Sequence, residues 1–113
     1  MAAYGTRAAV ISYTSTADWL EIFNIADPAH PTRIGSAVAI GGLANSAQGL
    51  AMDDTHSYVA DSDEGLKVFD MDTFSFASYS PVMVPGAAYD VTIMNSYAYV
   101  TGYPSAASMI ALP

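Results

Sequence analysis

Three carboxylates fall within four residues at Asp61, Asp63 and Glu64, in the run D-S-D-E-G. Hard cations such as calcium take clusters of oxygen ligands, with glycine to turn the chain around them. The full D-x-D-x-D-G loop with a distant bidentate Glu is missing, so the simpler reading is a solvated hairpin turn. Asp53 and Asp54 sit in a second turn, where aspartate bonds the backbone ahead of it. His30 stands between Ala29 and Pro31, and His56 between two apolar runs. Neither has a His or carboxylate at metal-ligand spacing, which leaves surface or turn histidines. No G-x-S-x-G, G-x-G-x-x-G or Walker A sequence occurs, so no catalytic residue, cofactor-binding residue or cofactor is assigned. With no cysteine, disulfides, thiolate zinc sites and thiol catalysis are excluded.

These residues lie between short apolar runs. From Gly49 to Met71, the runs L-A-M, S-Y-V-A and L-K-V-F are separated by D-D-T-H and D-S-D-E-G. That is strand, turn, strand, turn, strand. A fourth strand is expected within residues 77–84, with Pro81 marking an edge or bulge. Upstream, Arg7 to Tyr13 and Arg33 to Ile40 are of strand length. The Pro28 and Pro31 turn separates the second of these from L-E-I-F-N-I at 20–25. G-G-L-A-N-S-A-Q at 41–48 reads as a small, flexible crossing.

The pattern repeats. L-E-I-F-N-I at 20–25 aligns with L-K-V-F-D-M at 66–71, and residues 49–60 align without a gap onto 90–101. Leu50 then matches Val91, Tyr58 matches Tyr99, and Val59 matches Val100. Asp70 and its equivalent Asn24 follow the Phe of the third strand, where a polar group could tie neighbouring units through backbone amides. A period of 41–46 with four strands is the size of a propeller blade. The expected class is all-β: propeller-like repeats of four-stranded antiparallel blades, about two and a half of them, not closed on their own. The divisions are 1–48, a partial blade lacking its first strand; 49–88, a complete blade; and 89–113, a partial blade lacking its last strand.

The repeated residues resemble the LVIVD repeat, a bacterial and archaeal β-propeller unit. Tyr58, Val59, Leu66, Val68 and Asp70 match its middle. Asp90, Tyr99 and Val100 match its first half, and Asp27, Pro28 and Pro31 match its end. The last copy departs from it by replacing A-D with Thr101-Gly102 and by what reads as a lengthened turn. The resemblance implies an extracellular, cell-surface or periplasmic protein with a protein or glycan partner. The N-terminus carries no signal-peptide pattern.

The net charge of −8 would be repelled by phosphate backbones and anionic lipid, which disfavours nucleic acid and membrane surfaces. No window of about 18 apolar residues is present to insert into a membrane. At this length the chain is either a piece of a longer propeller or one of several copies closing a ring. In both cases its open edges and apolar faces invite self-association. Three functions remain: a non-catalytic structural or interaction module, a fragment of a lactonase-like or quinoprotein-like enzyme whose catalytic residues lie elsewhere, and a repeat stabilised by a metal at D-S-D-E-G.

Overall fold

In S-Y-V-A and L-K-V-F, successive side chains point to opposite faces of the sheet. Apolar residues on both faces require a neighbour on each side. The structure is a computed structural model that describes residues 1–41, 46–62, 64–84, 86–103 and 108–112. It meets that requirement with three antiparallel sheets, none closed, and no helix among the described residues.

The first sheet runs β1 (Ala2–Tyr4), β2 (Arg7–Tyr13), β3 (Asp18–Asn24), β4 (Thr32–Ala39). The second runs β5 (Gly49–Met52), β6 (His56–Ala60), β7 (Leu66–Asp70), β8 (Ser75–Phe76). The third holds β9 (Ala87–Met94), β10 (Tyr97–Tyr103) and β11 (Ser108–Ala111). The strands nearest the middle, β1, β5 and β9, approach one another in turn.

One face of the central sheet packs Val59 and Phe69 against Ala9, Leu20 and Ile22 of the first. The other packs Tyr58, Ala60, Leu66 and Val68 against Val91, Ala98 and Val100 of the third. The repeat is visible in the pairing. Leu50 faces Val59 and Ala51 faces Tyr58; at the equivalent positions Val91 faces Val100 and Thr92 faces Tyr99.

Four features differ from the sequence reading. First, the first sheet does have an opening strand. It is only three residues long and pairs through a two-residue turn, with Gly5 at φ 60° in the place a type II′ turn reserves for glycine. Second, the fourth strand of the central sheet is Ser75–Phe76, just before 77–84; within that segment Ala77 N donates to Val68 O at 2.8 Å and Val82 bridges back to β7 at Leu66. Third, the last hairpin is not lengthened. Val59 pairs with Lys67 and Val100 with Ser108, the same interval, whereas Val10 pairs with Glu21 across a longer one. Fourth, the crossing is held firmly at its described end. Ala47 N donates to Asp18 Oδ2 at 2.9 Å, Tyr13 Oη donates to Ala47 O at 2.8 Å, and Gln48 N donates to Ala60 O at 2.8 Å.

Gly49 fixes how closely β5 and β9 approach. A Cβ there would lie 2.7 Å from Asp90 Cα and 2.8 Å from Tyr89 O, both backbone atoms. Gly49→Val is therefore expected to force the two inner strands apart and cost about 2–3 kcal/mol by overpacking. Urea denaturation checks this; an unchanged midpoint would show that the strands have room to separate.

Candidate functional site

The D-S-D-E-G turn closes the β6–β7 hairpin, and its first residue is not solvated. Asp61 is fully buried. Its Oδ1 accepts from Ser46 Oγ at 2.5 Å, and its Oδ2 meets Lys67 Nζ at 2.6 Å in an ion pair. Lys67 lies on β7 among apolar neighbours and is itself buried. Its Nζ also donates to Ile40 O at 2.9 Å and faces the exposed Glu64 at 3.7 Å. Asp63 lies outside the described residues.

The same turn is tied to its neighbours through the backbone. Ser62 and Ala88 exchange N–H···O bonds of 2.9 Å each way, and Ser62 Oγ donates to Ser46 O at 2.6 Å. The turn thus joins the end of the first sheet, the crossing segment and the start of β9. An ammonium group already stands against Asp61 and Glu64, where a cation would have to sit. Among the described residues no three His, Asp or Glu side chains converge on a common point. The melting temperature is expected to be the same with calcium and with a chelator; a shift would restore a metal role.

Lys67 escaped the sequence reading, although a signal existed: it is one of three cationic residues and stands inside L-K-V-F, where both faces are covered. A buried ammonium requires a buried partner. The corresponding place in the first sheet holds a different polar pair, with Ser12 Oγ donating to Glu21 Oε1 at 2.9 Å. Glu21 also accepts from Arg33 at 2.8 Å. The Arg33 and Ser12 bonds hold its carboxyl below the usual carboxylate range.

A second polar network lies at the other end of β6. Asp53 Oδ2 accepts from Tyr58 Oη at 2.6 Å, and its Oδ1 accepts from the backbone amides of Thr55 and His56 at 3.0 and 2.8 Å. Burial opposes the Asp53 charge, but these bonds outweigh it and lower its pKa. Burial, reinforced by the Asp53 bond, pushes Tyr58 well above the ordinary phenol range. His56 Nδ1 lies 2.8 Å from Thr55 Oγ1, and Nε2 lies 3.6 Å from Asp70 Oδ2.

Asp53 therefore adds stability that is present above the ordinary carboxylate pKa of about 3.9 and is lost as pH falls through its lower folded value. Tyr58→Phe is expected to cost about 1.5–3 kcal/mol near neutrality, because a partly buried carboxylate loses a donor. That difference should shrink on acidification, as measured by denaturation at a series of pH values. A pH-independent difference would mean that the Tyr58 hydroxyl acts on something other than the Asp53 charge.

The other singled-out positions are local. Asp70 Oδ1 accepts from Asp72 N at 2.9 Å and Thr73 N at 3.1 Å, while Asn24 Oδ1 accepts from Ala26 N at 2.9 Å. Both do bond backbone amides, but those of their own following turn rather than of a neighbouring sheet. The Asp70 carboxyl is lowered by these bonds. Asp27 bonds Ala29 N at 3.1 Å and reaches His30 Nδ1 at 3.0 Å on the exposed Pro28–Pro31 turn. His30 and His56 thus each have one carboxylate neighbour, Asp27 and Asp70, in or beside a turn. Asp90 bonds the amide of Val91 at 2.9 Å.

Two apolar sheet faces complete the inventory. On the third sheet, Met94, Tyr97, Tyr99 and Met109 are exposed. On the first, Met1, Ala8, Val10, Phe23, Ile25 and Pro31 line a concavity of about 250 Å³. That is below the 300–1,000 Å³ typical of small-molecule sites.

No curated protein and no solved structure matches the chain. The family model of the LVIVD repeat matches residues 44–79, the segment holding the whole central sheet, the Asp61–Lys67 pair and the Asp53–Tyr58 bond. The central segment is thus similar to the LVIVD repeat, and the third sheet echoes its strand pairing.

Proposed function

We propose that the chain is a non-catalytic structural and interaction module, part of an LVIVD-type β-propeller of a surface or periplasmic protein whose loops meet a protein or glycan. The observation that carries this reading is the central sheet. It lies in the matched repeat, buries both faces against antiparallel neighbours of which the third keeps its hairpin interval, and commits Asp53, Asp61, Lys67 and Asp70 to structure. Asp61 and Lys67 hold the junction, Asp53 holds Tyr58, and Asp70 closes its own turn. Asp53 is held below the ordinary carboxylate range and Tyr58 above the ordinary phenol range, both moved away from the near-neutral pKa at which a general acid or base works best.

The test pairs a glycan array with a lactone-hydrolysis assay on the same purified chain. Binding without turnover above buffer supports the reading. Turnover that disappears in His56→Ala or Asp53→Asn would overturn it in favour of an enzyme using the second network.

A further inference from the structure

We infer that the outer faces of the first and third sheets bind each other between two copies of this chain, head to tail, giving a two-fold ring of six sheets. The inference rests on reading the sheets as propeller blades.

The internal repeat shows what covers each face. Tyr58 and Val68 of the central sheet are buried against the third sheet. Their equivalents forty-one residues on, Tyr99 and Met109, occupy the same face of the third sheet and are 39% and 63% exposed. Val59 and Phe69 of the central sheet are buried against the first. Their equivalents in the first sheet, Val10 and Phe23, line its apolar concavity. The third sheet thus exposes the surface that the central sheet uses toward its successor, and the first exposes the surface that the central sheet uses toward its predecessor. Within the chain, surfaces of these two kinds already meet twice, which makes the free pair complementary in kind.

Three sheets from each of two copies give six, within the four to eight blades over which propellers close. A head-to-tail contact that closes after two copies leaves neither face exposed; one that does not close grows into a filament. The contact is apolar at its centre, so the net charge of −8 per chain acts mainly as long-range repulsion that salt screens.

The test is molar mass by light scattering behind a sizing column, with circular dichroism on the same sample. The expected mass is about twice the chain's 11.8 kDa. Tyr99→Arg and Phe23→Arg alter half-exposed positions on opposite faces. Each alone breaks both contacts of the ring and should give a β-rich monomer. Mixed in equal amounts they should form a one-to-one dimer, because one native contact remains between the unaltered faces.

A native chain that is a β-rich monomer at tens of micromolar overturns the inference and leaves the blade reading standing. So do a dimer that survives Tyr99→Arg, a mixture that stays monomeric, and a polydisperse filament. A chain with no β-type spectrum overturns the blade reading as well.

Discussion

Lys67→Met is expected to destabilise the chain by about 3–5 kcal/mol, the usual cost of removing one partner of a buried ion pair. Asp61 is fully buried, and its Oδ2 faces only the Lys67 ammonium among the described groups, at 2.6 Å. Methionine restores the volume but supplies no donor, and Ile40 O loses its bond as well. The paired variant Asp61→Asn/Lys67→Met should cost less than the sum of its singles, because it removes the carboxylate left without a cation. Asparagine also keeps an oxygen for Ser46. A double-mutant cycle by urea denaturation measures the coupling, expected in the upper part of the 0.5–3 kcal/mol range for residues in one network. A single-variant cost under about 1 kcal/mol would place the pair with exposed salt bridges, which contribute little.

Phe69→Ala should cost a similar amount, about 3–5 kcal/mol. Phe69 is wholly buried where the first and central sheets meet. Its ring stands edge-on to Phe74 at 5.2 Å and to Phe76 at 5.3 Å. Offset or edge-to-face pairs add about 0.5–1.5 kcal/mol beyond area alone. The Phe74 ring in turn rests over Gly35, where a Cβ would lie 2.7 Å from its Cζ. Phe74 is therefore already in close contact with the Gly35 backbone, and the ring pairs that Phe69 makes would be lost outright with the deletion. Phe69→Leu should recover most of the loss, since it keeps apolar volume and gives up the edge contacts. A Phe69→Ala cost below about 1.5 kcal/mol would mean that the sheets close over the gap.

The fold was legible where a property repeated. The matches of 20–25 with 66–71 and of 49–60 with 90–101 are register matches in the sheets, because alternation and turn length together fix which residues face each other. Single features were harder to read. A-A-Y is too short to stand out as a strand, and becomes one because β2 offers it a partner. Ser75–Phe76 pairs because Phe76 reaches the Phe69 ring, a contact between residues that no local pattern links. The D-S-D-E-G run was read by composition as solvated, yet its solvation depends on a lysine six residues away and on a crossing segment from another sheet. Asp70 and Asn24 showed their bonding chemistry in sequence but not its direction, since an aspartate or asparagine can serve its own turn as readily as a neighbour.

The two-sided burial of the central sheet also sets an order of opening. In a stacked array each unit is held by its own strands and by its nearest neighbours. The terminal sheets of one chain have one such neighbour each, and the central sheet has two. Amide hydrogens of β6 and β7 should therefore exchange only through the largest opening available to the chain, while those of β2 and β10 exchange through smaller, independent ones. Exchange rates along the sequence would then rise from the middle towards both ends. In a paired ring that gradient would vanish, because no sheet would remain at an end.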